Sequence, residues 1–104
     1  MRKYTAYLSP IAEYKLLKLL DYIEVEFGIN SRNKFLNTFS ENIRLIEMNP
    51  FSCPETEIHG VYKNVVTRQT SFYFRIKNYD IEVVTLTDNR QNPQHIFKEL
   101  KNLP

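Results

Sequence analysis

Ser71-Phe72-Tyr73-Phe74-Arg75-Ile76-Lys77 is the stretch that decides the fold class. Phe72, Phe74 and Ile76 fall on one side, and Ser71, Tyr73, Arg75 and Lys77 on the other. That alternation has the period of a strand with one face toward a core. Asn78-Tyr79-Asp80 follows as a turn, and Ile81 to Thr87 reads as the next strand, so the two form an antiparallel hairpin. Upstream, Val61 to Thr67 is β-branched and strand-like, although its alternation is poor. A further short strand, Tyr4-Thr5-Ala6-Tyr7-Leu8, opens the chain and is rich in β-formers.

Between the first strand and the other three lies helical sequence. Ser9-Pro10 is a start signal, with a hydroxyl at the N-cap and proline at the first helical position. Ala12, Leu16, Leu20, Ile23 and Phe27 then recur every three or four residues, widened by Leu19, while Glu13, Lys15, Lys18 and Glu24 stay polar. The spacing predicts an amphipathic helix about 27 Å long at the usual rise. Gly28 is expected to end it in the left-handed C-cap conformation. Asn30 and Ser31 are expected to cap a second helix with the stripe Phe35, Phe39, Ile43 and Ile46, ended by Pro50 and Pro54, with a loop to about Gly60. Helices joined this closely pack as an antiparallel hairpin. Their stripes need a shared apolar surface, which the strands supply. Residues 93–101 read as a short terminal helix with Ile96, Phe97 and Leu100 on its apolar side. The expected class is therefore α+β, ordered β-αα-βββ: an N-terminal strand, a helix hairpin on an antiparallel sheet of three to four strands, and a short C-terminal helix.

The remaining bounds come from composition. The 104 residues make one domain, 1–104, with neither repeats nor a linker, too small for a dinucleotide-binding or barrel enzyme. The two glycines, Gly28 and Gly60, exclude a glycine-rich phosphate loop. No apolar run is long enough to span a bilayer, the basic start lacks an apolar signal segment, and Cys53 is the lone cysteine. These features point to the cytoplasm, away from membranes. The net charge of +2 conceals an asymmetry: residues 1–60 hold seven Lys/Arg against eight Asp/Glu, and residues 61–104 seven against four. A basic second half suits phosphates or an acidic partner.

Several kinds of chemistry are unsupported. His59, His95 and Cys53 share no metal-ligand spacing, the serines have no histidine at a diagnostic spacing, and Glu24/Glu26 and Glu55/Glu57 read as solvated charges. No metal or cofactor is expected. Arg68, Arg75 and Arg90 stand on or beside strands, interleaved with Tyr62, Phe72, Tyr73 and Phe74. A guanidinium on a rigid strand matches two phosphate oxygens, so these residues are candidates for binding RNA or stabilising its cleavage. The competing reading pairs each with an acid, such as Glu82 or Asp88. Arg90 follows a strand in the polar turn Thr87-Asp88-Asn89-Arg90-Gln91-Asn92-Pro93, the kind of loop where function concentrates.

The chain resembles RelE/ParE-superfamily toxins over about residues 4–95. The resemblance lies in Tyr7-Leu8-Ser9-Pro10-Ile11-Ala12, Asp21-Tyr22-Ile23, Phe27-Gly28, Asn49-Pro50, Val61-Tyr62-Lys63, Phe72-Tyr73-Phe74-Arg75-Ile76 and Leu86-Thr87-Asp88-Asn89-Arg90-Gln91-Asn92-Pro93. It implies the β-αα-βββ fold and a bacterial toxin bound and neutralised by a cognate antitoxin in a hetero-oligomer. RelE-like members cut mRNA on the ribosome, whereas ParE-like members inhibit DNA gyrase. The long helix hairpin is more similar to the ParE branch. For the RelE branch the resemblance maps phosphate-binding arginines onto Arg68 and Arg90 and a basic neighbour onto Lys63. Where those nucleases carry a C-terminal tyrosine this chain reads Gln94-His95-Ile96, leaving His95 as the proton-transfer candidate. Tyr73 and Arg75 complete the RNA- or partner-binding candidates. A third reading, a toxin that keeps its antitoxin but has lost its target, follows from the same resemblance.

Overall fold

The computed structural model describes residues 3–89 and 93–103, with the side chains of 93–95 outside the description. In order it holds β1 (Thr5–Leu8), α1 (Pro10–Phe27), α2 (Ile29–Met48), a 3-10 turn at Pro50–Ser52, β2 (Tyr62–Val65), β3 (Thr70–Lys77), β4 (Asp80–Asp88) and α3 (Pro93–Lys101). The strands form one sheet in the order β1-β4-β3-β2. The expected β-αα-βββ arrangement with a terminal helix is the one observed.

One strand differs from the expected antiparallel sheet. The pairs β2–β3 and β3–β4 are antiparallel, but β1 lies parallel to β4, with Thr5 opposite Asp80 and Leu8 opposite Val83. Parallel neighbours need a long crossover, and the two helices between β1 and the rest of the sheet provide it. Ser9 then fixes the corner. Its N–H donates to Val83 O at 2.9 Å, its hydroxyl donates to Val84 O at 2.9 Å, and its Oγ accepts from Ala12 N–H at 3.1 Å as the N-cap of α1.

The junction of the helices also departs from expectation. Gly28 is both the last cap of α1 and the first of α2, so no separate capping residues intervene. Its φ of 97° and ψ of 169° lie in an extended positive-φ region reserved for glycine, not in the left-handed helical one. A corner of one residue turns the chain so sharply that Ser31 already lies inside α2, where its hydroxyl donates back to Phe27 O at 3.2 Å. Arg32 on α2 pairs with Glu24 on α1 at 3.3 Å across the hairpin. Phe27, expected in the core, is 65% exposed beside Tyr22, because it is the last residue of α1, at the corner where Gly28 turns the chain.

The main core lies between the helix hairpin and the sheet. Ala12 and Leu20 of α1 and Phe35, Phe39 and Ile46 of α2 pack on Phe72, Phe74, Ile81, Val83 and Leu86. The opposite sheet face was expected to be polar along β3, yet Ser71 and Tyr73 are buried. The reason is α3: Ile96 and Leu100 pack with Val61, Tyr73 and Val84 as a second core. A register shift between Tyr73 and Phe74 sets Tyr73 opposite Thr85 but Phe74 opposite Val83, leaving one extra residue in β4. Beside this bulge Lys15 donates to Thr85 Oγ1 at 2.8 Å and to Glu99 at 3.0 Å, so one ammonium ties α1, β4 and α3 together.

Candidate functional site

The site candidates of β2 and β3 converge because of strand register. Lys63 lies opposite Tyr73 across the β2–β3 pair. Both line a cleft of about 320 Å³, closed by Thr87, Asp88 and Asn89 from the end of β4 and by Phe97 of α3. Burial under α3 raises the Tyr73 phenol above its ordinary pKa. The phenol therefore stays protonated at neutral pH, so it can donate a hydrogen bond but cannot serve as a base. Lys63 contributes a partly exposed ammonium and Asp88 a carboxylate, so the cleft carries both charges.

Arg68 stands at the tip of the β2–β3 hairpin. Thr67 shapes the tip, its hydroxyl oxygen accepting from the N–H groups of Gln69 and Thr70 at 3.2 Å each. Asn89 joins this tip to the exit of β4: its N–H donates to Gln69 O at 2.6 Å, and its side-chain amide donates to Arg68 O. Arg68 is exposed there, at the same end of the sheet as the cleft. The contribution of Asn89 was not legible beforehand; its only signal was its place in a polar run after a strand.

Arg75 belongs elsewhere. Its Nε donates to Glu82 Oε1 at 2.6 Å, the cross-strand pair foreseen as the competing reading, and it lines a second cleft with Tyr7, Lys77 and Asp80. Arg90 lies outside the described residues, and so does the side chain of His95.

Cys53 and His59 hold no shared site. The Cys53 thiol donates to Asn64 Oδ1 at 3.5 Å, and burial pushes its pKa up, which keeps it an unreactive thiol. His59 is fully exposed beside Glu55 at 3.3 Å. Among the described residues, no three His, Cys, Asp or Glu side chains cluster so as to hold a metal ion. No helix among them is long and apolar enough to cross a membrane.

The arrangement of hairpin, sheet and terminal helix recurs in solved structures. A chain of the chromosomal ParDE TA system from P. aeruginosa superposes with a TM-score of 0.71 at 18% identity, covering 82% of this chain and 95% of that one. The chain has the RelE/ParE-type fold. The YoeB dimer from Staphylococcus aureus contains it as well, at a TM-score of 0.56 and 12% identity, with 83% and 97% of the two chains covered. Family profiles and curated sequences give no match. At such identities the likeness is one of fold.

Proposed function

We propose that the chain is the toxin of a type II toxin–antitoxin pair, that it is held inactive in a hetero-oligomer with its cognate antitoxin, and that it arrests growth by binding DNA gyrase. The observation that carries the target is the covered second face of the sheet. RNA cleavage needs an accessible surface where a phosphate meets paired proton donors and acceptors. Here Ile96 and Leu100 sit on that face, Tyr73 is buried with its proton held, and Arg75 is engaged with Glu82. The long helix hairpin and the superposition on a ParDE chain support the same reading.

A second reading, a ribosome-dependent mRNA endoribonuclease, is favoured by one observation. Lys63, Tyr73, Thr87 and Asn89 share a cleft, and Arg68 is at the same sheet end. In that reading Arg68, Arg90 and His95 carry the reaction and Lys63 holds the RNA backbone.

Controlled induction in a bacterial host separates the two. Thymidine and leucine incorporation are followed over the first minutes. The gyrase reading expects DNA synthesis to fall first and purified protein to inhibit supercoiling in vitro. An earlier fall in protein synthesis, with codon-positioned cuts that Arg68→Ala or Arg90→Ala abolishes, overturns it in favour of cleavage. Absence of growth arrest overturns both.

A further inference from the structure

Helix α1 carries a second apolar stripe on the side away from the core. Ile11, Tyr14, Tyr22 and Val25 are 53%, 62%, 39% and 82% exposed, and Lys18 stands at their centre with its ammonium over the Tyr14 ring. An amphipathic helix packed on one core needs only one apolar face. Ala12, Leu16, Leu20 and Ile23 already provide it here.

The stripe reads the same in both directions. The steps between its positions are 3, 4, 4 and 3, and its side chains run apolar, tyrosine, lysine, tyrosine, apolar. A two-fold interface brings one patch against itself in reverse. We infer that this face of α1 is the contact between two copies of the chain, packed antiparallel about a two-fold axis at Lys18.

The register follows from that axis. Ile11 lies level with Val25 of the second copy, Tyr14 with Tyr22, and Lys18 with its own equivalent. At 100° per residue Tyr14 and Tyr22 lean to opposite flanks of the stripe. The rings at each level therefore pass beside one another instead of colliding. On the sheet side, Tyr14, Lys15, Lys18 and Leu86 border a cleft of about 360 Å³, and Tyr22 of the second copy arrives at that level and flank.

Charge complementarity closes the centre. Asp21 is exposed one turn beyond Lys18. About the axis each Lys18 lies within a turn of Asp21 of the other copy, which gives two positive and two negative charges in alternation. A helix pair of this length buries roughly 1,000 Å² in total, the low end for a specific interface. The dimer is accordingly weak and concentration-dependent. It is independent of the proposed target, since nothing in it involves gyrase, RNA or an antitoxin.

Sedimentation velocity of the full chain from about 10 µM to about 1 mM, a range suited to weak affinities, tests it. The wild type is expected to shift from monomer to dimer across that range. Lys18→Asp and Asp21→Lys each place four like charges at the axis, and each alone is expected to lose the dimer. Mixed in equal amounts, they oppose two acids to two lysines and are expected to regain it. Both positions are solvent-exposed, and unchanged circular dichroism confirms that the variants fold. Register is read in a Cys53→Ser background with a short bis-maleimide. Lys18→Cys should cross-link to itself, whereas Ile11→Cys should cross-link only when mixed with Val25→Cys. A wild type that stays monomeric throughout overturns the inference. So do single variants that dimerise like the wild type, a mixture that does not recover, or cross-linking of Ile11→Cys to itself.

Discussion

Truncating Leu100 to alanine should release the terminal helix and, through it, bring the Tyr73 pKa back toward its ordinary value. Leu100 is 2% exposed in the second core, and with Ile96 it is the apolar anchor of α3. Burying two such side chains is worth about 3–6 kcal/mol in area terms, and leucine-to-alanine changes in cores cost about 2–5 kcal/mol. A nine-residue helix has little stability of its own in water, so α3 depends on that docking. Removing about half of its apolar anchorage should leave it largely undocked, held by the Lys15–Glu99 pair, which is about one quarter exposed. The global unfolding free energy should fall by about 2–3 kcal/mol while the α1–α2 hairpin and its core persist.

The sharper readout is titration. Burial raises the Tyr73 pKa in the folded protein above that of the unfolded chain. Below the ordinary tyrosine value of about 10, both states keep the proton and this contribution to stability is complete. As pH rises above that value the unfolded chain ionises first, and stability is lost until the folded value is passed. In Leu100→Ala the phenol meets water, so its pKa should drop toward the ordinary value and the alkaline loss of stability should flatten. Ring-labelled tyrosine NMR against pH measures the shift, and hydrogen exchange of the α3 amides reports undocking. An unchanged Tyr73 titration with the α3 amides no longer protected would refute the coupling between the helix and the phenol.

Other perturbations probe the frame that holds the clefts. Ser9→Ala removes the N-cap of α1 and leaves Val84 O without its hydroxyl donor, so stability should fall by about 1–3 kcal/mol in chemical denaturation. Gly28→Ala should cost about 1–3 kcal/mol purely through backbone strain, since an added Cβ meets nothing within 4 Å; an unchanged melting temperature would show that the helix corner relaxes freely. Glu82→Gln should cost about 0.5–1 kcal/mol at low salt and less at high salt, because the pair with Arg75 is a quarter to a third exposed; a loss unaffected by salt would argue against an ionic contribution.

The parts legible in the sequence were those set by local periodicity. Phe72 and Phe74 against the core, the stripes Ala12–Leu20 and Phe35–Ile46, and the turn at Asn78 each follow from a spacing or from one residue's backbone preference. Even the Arg75–Glu82 pair was readable, since a hairpin with a short turn sets its own register. What could not be read depends on distant elements. The burial of Tyr73 comes from α3, some twenty residues later, and the convergence of Lys63 on Asp88 and Asn89 needs the full sheet order. The extra residue in β4 has no glycine or proline to announce it. The hydroxyl cap foreseen for α2 is not used, because a glycine able to reach φ 97° lets two helices abut directly.

The sheet is covered on one side by the helix hairpin and on much of the other by α3, and that double burial bears on how so diverged a sequence keeps its fold. Strands β3 and β4 place apolar residues on both faces, so most of their side chains answer to packing and are not free to bind a partner. Exposed chemistry is left to the sheet ends and the outer helix faces. Arg68 occupies a hairpin tip, Lys63 an edge strand, and Asn89 the exit of β4; Tyr14, Lys18 and Tyr22 lie on the outer face of α1. Substitutions at those places leave the two cores intact. One scaffold can therefore carry different targets and different self-contacts, which is why the target must be tested at the rim residues and cannot be inferred from the core.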